Sequence, residues 1–167
     1  MAQSQLSRSQ GAVQGFRSKL VELSDWIKNS GFQFLRKNVE FGRSSESSSK
    51  FLSSHKDLFN RAHLKMFELE GLRGALKTVS DQCSNGDTRE IEQMMTQLSN
   101  KLASLKSALE VRISISEKCG KFFKLYGQLE KEMSLVERQL DNGQNVFSKT
   151  SFEESRLLIQ QLYLQVK

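Results

Sequence analysis

The chain has no proline in its 167 residues. Nothing in it therefore breaks a long helix by removing an N–H and clashing with the preceding turn. The proline-bearing tight turns common in all-β folds are also missing, so Gly, Asn and Ser must supply the punctuation. Cysteine is nearly as scarce. Cys83 and Cys119 are far apart and form no CxxC pair, the pattern of reduced structural thiols inside a cell. No apolar run approaches the ~18 residues that a bilayer span needs. The opening MAQSQLSRSQGAVQG lacks both the apolar core of a signal peptide and a Met-Gly acylation start. These absences predict a cytoplasmic protein whose contact with membrane is at most peripheral.

The residues of enzyme sites are thin as well. His55 and His63 are the two histidines. No Cys, Asp or Glu stands at a spacing that would close a metal site with them. His55 is expected inside a helical seam and His63 on a surface. No GxxxxGK[ST], HExxH or GxSxG sequence occurs. Gly71-Leu72-Arg73-Gly74 has the form of a nucleic-acid-clamping GxxG but falls inside a helical stripe. The expectation is no enzyme, no metal and no cofactor.

What is present is charge and periodicity. Net charge is +6, which favours acidic partners such as actin filaments, anionic lipids or acidic protein tails. The basic residues are scattered without interleaved Gly and aromatics, which argues against nucleic acid. Arg36, Lys37 and Arg43 gather near the end of the first expected helix, beside Phe32 and Phe41. They are the candidate interaction surface, set against a solvated basic end that complements a helix C-terminus.

Residues 1–12 are small and polar, a flexible leader or an early helix fringe. From Val13 the apolar residues become periodic. Phe16, Leu20, Leu23, Ile27 and Phe34 recur at steps of 4, 3, 4 and 7, one stripe of a helix. Trp26 sits beside it. Gly42 ends this block, and the serines of SSESSSKFLSS start the next, as N-caps. Phosphorylation there would favour the helix dipole. The second stripe is Leu52, His55, Phe59, Ala62, Met66, Leu69, Arg73 and Leu76, widened by Leu58, Leu72 and Val79. It stops at CSNGDT, where Asn85-Gly86 is a turn dipeptide.

Asp87 and Glu90 have capping-box spacing ahead of Ile91, Met95, Leu98, Leu102, Leu105 and Leu109, so the third helix starts there. The seam goes on, in shifted phase, through Phe122, Leu125, Leu129, Met133, Val136 and Leu140. One helix through all of it would be roughly 80 Å long. Asp141-Asn142-Gly143 ends it. Ser151 and Glu154 open a last helix bearing Leu157, Leu158, Leu162 and Val166.

Three amphipathic helices on short turns bury their faces most cheaply against one another. The fold expected is all-α: a left-handed, antiparallel three-helix bundle over 13–115, whose third helix runs on into a partial second bundle over 116–167. Core anchors are Trp26, His55, Phe59, Leu102 and Leu105. Arg112 and Glu117 mark the junction.

This arrangement resembles a spectrin repeat followed by part of another. In that family the last helix of one repeat continues into the first helix of the next, and a tryptophan sits in the first helix, as Trp26 does in LSDWIKNSG. A histidine near the start of the second helix matches His55 in FLSSHKDLF. The segment GFQFLRKNVEFGRSSESSSKFLSSHKDLF is similar to repeats of Rho exchange factors of the Trio and Kalirin type, with nesprin-like cytoskeletal linkers nearly as close. The tryptophan that many repeats carry in the third helix is absent, leaving Leu102 and Leu105 in its place. The resemblance implies a non-catalytic scaffold, associated with the cytoskeleton or with Rho signalling, that spaces domains and binds proteins. For a nesprin-like chain it implies the nuclear envelope. Two alternatives stand beside it. One is an assembly module whose partial repeat, 116–167, is completed by a partner's helix or a second copy, unless the chain is simply cut within a repeat. The other is a basic rod for actin or anionic lipid.

Overall fold

The computed structural model describes residues 2–79, 85–141 and 149–166. The elements are α1 (Ala2–Trp26), a π-helical turn (Ile27–Phe32), α2 (Gln33–Lys37), α3 (Ser45–Val79), α4 (Asn85–Asp141) and α5 (Lys149–Val166). Among the described residues there is no strand, so the fold is all-helical. No described helix is long and apolar enough to cross a membrane.

The chain forms two compact units, Met1–Val39 with Ser54–Val111, and Glu40–Ser53 with Arg112–Lys167. In the first unit α1, α3 and α4 share one core. Val13, Leu20, Leu23 and Ile27 meet Leu69, Leu72 and Leu76 of α3 and Ile91, Met95, Leu98 and Leu102 of α4. A second cluster joins Leu35 to Leu58 and Ala62 of α3 and to Leu105 and Leu109 of α4. The α4 stripe from Ile91 to Leu109 is buried at every expected position. Burying each such side chain contributes ~1.5–3 kcal/mol.

The first stripe departs from its expected register. Beyond Ile27 the buried positions are Gly31 and Leu35, while Phe34 is half-buried. The cause is the π turn, which inserts an extra residue into the helical ladder and moves the inward face one position along. Phe34 instead meets His55 edge-on, with ring centroids 4.9 Å apart. A second departure lies at the start of α4. Asn85-Gly86 does not form the expected turn but belongs to the helix's first turn. Asp87 and Glu90 both accept from the Arg17 guanidinium, Asp87 at 3.0 Å, which ties α1 to α4. The ends expected at 80–84 and 142–143 lie outside the described residues.

The serine run is a cap. The Ser44 N–H donates to Ser47 Oγ at 3.0 Å, and the Ser47 N–H donates back to Ser44 Oγ at 3.2 Å. This is the reciprocal exchange of a capping box, with serine where Glu or Gln is usual. The Arg43 N–H also donates to Ser47 Oγ. Gly42 permits the approach. Its φ is +90°, and a β-carbon there would lie 2.6 Å from Ser47 Oγ.

In the second unit, Phe41 packs on Phe51 at 4.7 Å. Ser48 and Ser116 are both buried, and the Ser116 hydroxyl donates to the Ser48 carbonyl at 3.4 Å. Two residues this small let α3 and α4 come close. Past Ser116 none of the described α4 side chains is buried.

Candidate functional site

The expected core anchors occupy two depths. His55, Leu102 and Leu105 are fully buried. Trp26 and Phe59 are half-buried at the rim of the same core. Each carries a cation near its ring, Arg61 at 6.0 Å from Trp26 and Lys106 Nζ at 5.3 Å from Phe59. Lys106 Nζ also donates to His63 Nδ1 at 3.3 Å, on the exposed side of α3. Arg36 and Lys37 are exposed in the last turn of α2, in the first unit. Arg43 is exposed in the second unit, ahead of the α3 cap. Arg112 is half-buried and Glu117 exposed, both in the second unit on α4.

Among the described residues no three His, Cys, Asp or Glu side chains converge as a metal site would need. What the second unit offers is surface. Phe122 and Met133, expected to point into a bundle, are 41% and 55% exposed. Tyr126, Leu135, Leu157, Ile159 and Leu164 are exposed as well. An open groove of about 920 Å³ runs along α4 past Tyr126, Leu129, Met133 and Leu135. Large contiguous exposed apolar patches mark interaction sites, whereas single exposed apolar residues need no explanation.

The apolar residues in this half of α4, some exposed and some half-buried, have an order that follows from their numbers. Ile115, Cys119, Phe122, Tyr126, Leu129, Met133 and Val136 stand at strictly alternating steps of 4 and 3. That is an unbroken coiled-coil seam of three heptads. Sequence reading started the second stripe at Phe122 and missed Ile115 and Cys119, although the spacing contains both. Phe122 stacks on Tyr126 at 6.2 Å. The Tyr126 phenol is held above its ordinary value of 10.0, first by its hydrogen bond to the Glu130 carboxylate, then by that group's charge and by slight desolvation.

A second exposed apolar pair, Leu64 and Phe67, lies on α3 in the first unit, with Phe67 edge-on to His63 at 4.8 Å. Gly71 and Gly74 follow on the same helix, with open space where a β-carbon would sit.

No family model, curated protein or solved structure matches this chain.

Proposed function

We propose that the chain is a non-catalytic structural module, of the spectrin-repeat kind, that spaces other parts of a protein and offers helical faces for docking. The observation that carries this reading is α4. One uninterrupted helix, Asn85–Asp141, begins with a fully buried stripe and continues with an apolar stripe that is largely open. The two core clusters support the up-down-up arrangement. Residues late in α1 and its continuation share a core with early α3 and late positions of the buried α4 stripe. Earlier α1 residues share theirs with late α3 and early α4. A cytoskeletal or Rho-signalling parent in the cytoplasm, with actin or acidic proteins as partners, is the setting that this module and its +6 charge suit. Single-molecule pulling between the chain ends tests the reading. A spacer gives discrete unfolding steps under load and refolds on release. Smooth extension with no step would exclude a load-bearing module.

A second reading is favoured by the exposed residues of α4 and α5. In it the second unit is an assembly element, finished by a helix from outside the chain.

A further inference from the structure

We propose that the open seam of α4, from Ile115 to Met133, pairs antiparallel with the same seam of a second copy of this chain. The inference rests on the assembly reading above and names its occupant. Ile115, Phe122, Tyr126 and Met133 are 41%, 41%, 46% and 55% exposed. Cys119 and Leu129 between them are half-buried, so the stripe keeps one side open along its length.

The charges that flank the seam choose the partner and its direction. Lys118 is the basic residue that flanks its first half, and Glu130, Glu132 and Glu137 flank its second. A parallel in-register pair sets Glu132 beside Glu137 of the second copy on both sides, like against like. An antiparallel pair instead brings Lys118 of each copy beside Glu132 of the other, opposite charges on both sides.

Heptad packing then fixes the register. Seam residues must face seam residues, and one alignment places Phe122 opposite Tyr126, Cys119 opposite Leu129 and Ile115 opposite Met133. In this alignment Lys118 lies beside Glu132 of the second copy, twice by symmetry. Phe123 and Leu125, both half-buried, meet their own counterparts at the two-fold axis. Sliding one step toward the C-terminus sets Leu125 against Glu132 and Phe123 against Glu130, apolar against charge. A step further sets Glu130 against Glu130. Sliding the other way runs the second copy onto Leu105 and Leu109, which are already fully buried.

Cys119 supplies a direct test. In the Cys83→Ser chain, sedimentation equilibrium is expected to show the mass rising from monomer toward dimer with concentration. Adding Leu129→Cys is expected to give a reducible dimer on mild oxidation. Residues 119 and 129 are about 15 Å apart along one helix, too far to bridge within a chain. Lys118→Glu is expected to weaken association about tenfold, the effect of turning two favourable rim pairs into repulsive ones. Lys118→Glu with Glu132→Lys is expected to restore it. A chain that stays monomeric at every concentration overturns the proposal, even if a helix of another protein binds the face. So does a Cys119–Cys119 bridge, which reports a parallel pair, or a Lys118→Glu chain that associates as before. Pulling on single molecules involves no second copy, so failure here leaves the spacer reading standing, and its failure leaves this one.

Discussion

Gly31 lies so close to Leu105 that a β-carbon on the glycine would come within 2.6 Å of Leu105 Cδ2. Both residues are buried, Leu105 completely, so the leucine cannot swing aside into solvent. The π turn brings Gly31 inward, and the missing side chain lets that turn seat against α4. Local backbone geometry and core packing in the first unit therefore depend on each other at this pair.

Replacing Gly31 with alanine sets two effects against each other. Alanine is favoured over glycine in a helix by ~1 kcal/mol. Overpacking a filled core costs ~1–3 kcal/mol. We expect the clash to win, with a net loss of about 1 kcal/mol in urea unfolding. Leu105→Ala alone is expected to cost ~2–5 kcal/mol. In that background the obstructing methyls are gone, so Gly31→Ala should become neutral or stabilising. Equal effects of Gly31→Ala in both backgrounds would show that the two side chains are not coupled.

Ser47 closes the cap of α3: its hydroxyl accepts from the Arg43 and Ser44 N–H groups and donates to the Ser44 carbonyl, and its own N–H donates to Ser44 Oγ. Ser47→Ala removes the acceptor for two backbone N–H groups and is expected to cost ~0.5–2 kcal/mol. Ser47→Thr should retain most of the loss-free state, since its hydroxyl can accept the same bonds. Thermal unfolding of the three chains checks the order.

How much of this was legible beforehand depends on where a residue's surroundings come from. The stripe Ile91–Leu109 could be read directly, because a regular helix against a continuous core obeys its own period. The serine cap could be read because capping is local. Leu35 and Gly31 could not be placed, because no periodic rule announces a π turn. Phe34 took the expected position on paper for that reason. Asn85-Gly86 looked like a turn, since that dipeptide favours one, yet it also fits the first turn of a helix. Phe122 and Met133 can be placed on one seam by spacing, and their exposure agrees with a partial bundle that lacks a covering helix. The pairing of Arg17 with Asp87 and Glu90 joins distant parts of the chain and left no mark in the local pattern.

Tyr126 gives a pH-dependent readout on the open seam. Its pKa lies above the ordinary 10.0 because the neutral phenol donates to Glu130 and its anion would be repelled by that carboxylate. A raised folded value means that this contact stabilises the helix below pH 10.0 and is lost as pH climbs through the raised pKa. With Tyr163→Phe removing the other tyrosine, phenolate absorbance should appear later than for a free phenol. Glu130→Gln should bring it back toward 10.0. An unchanged titration after Glu130→Gln would mean that the pair does not form.

Both the spacer and the open seam require α4 to be one helix through Arg112–Gly120, between its buried stripe and its open one. Backbone ¹³Cα chemical shifts of those nine residues measure this directly. Helical shifts continuing without a gap from Leu109 to Phe123 are the predicted result. Coil or strand values anywhere in Arg112–Gly120 would contradict it.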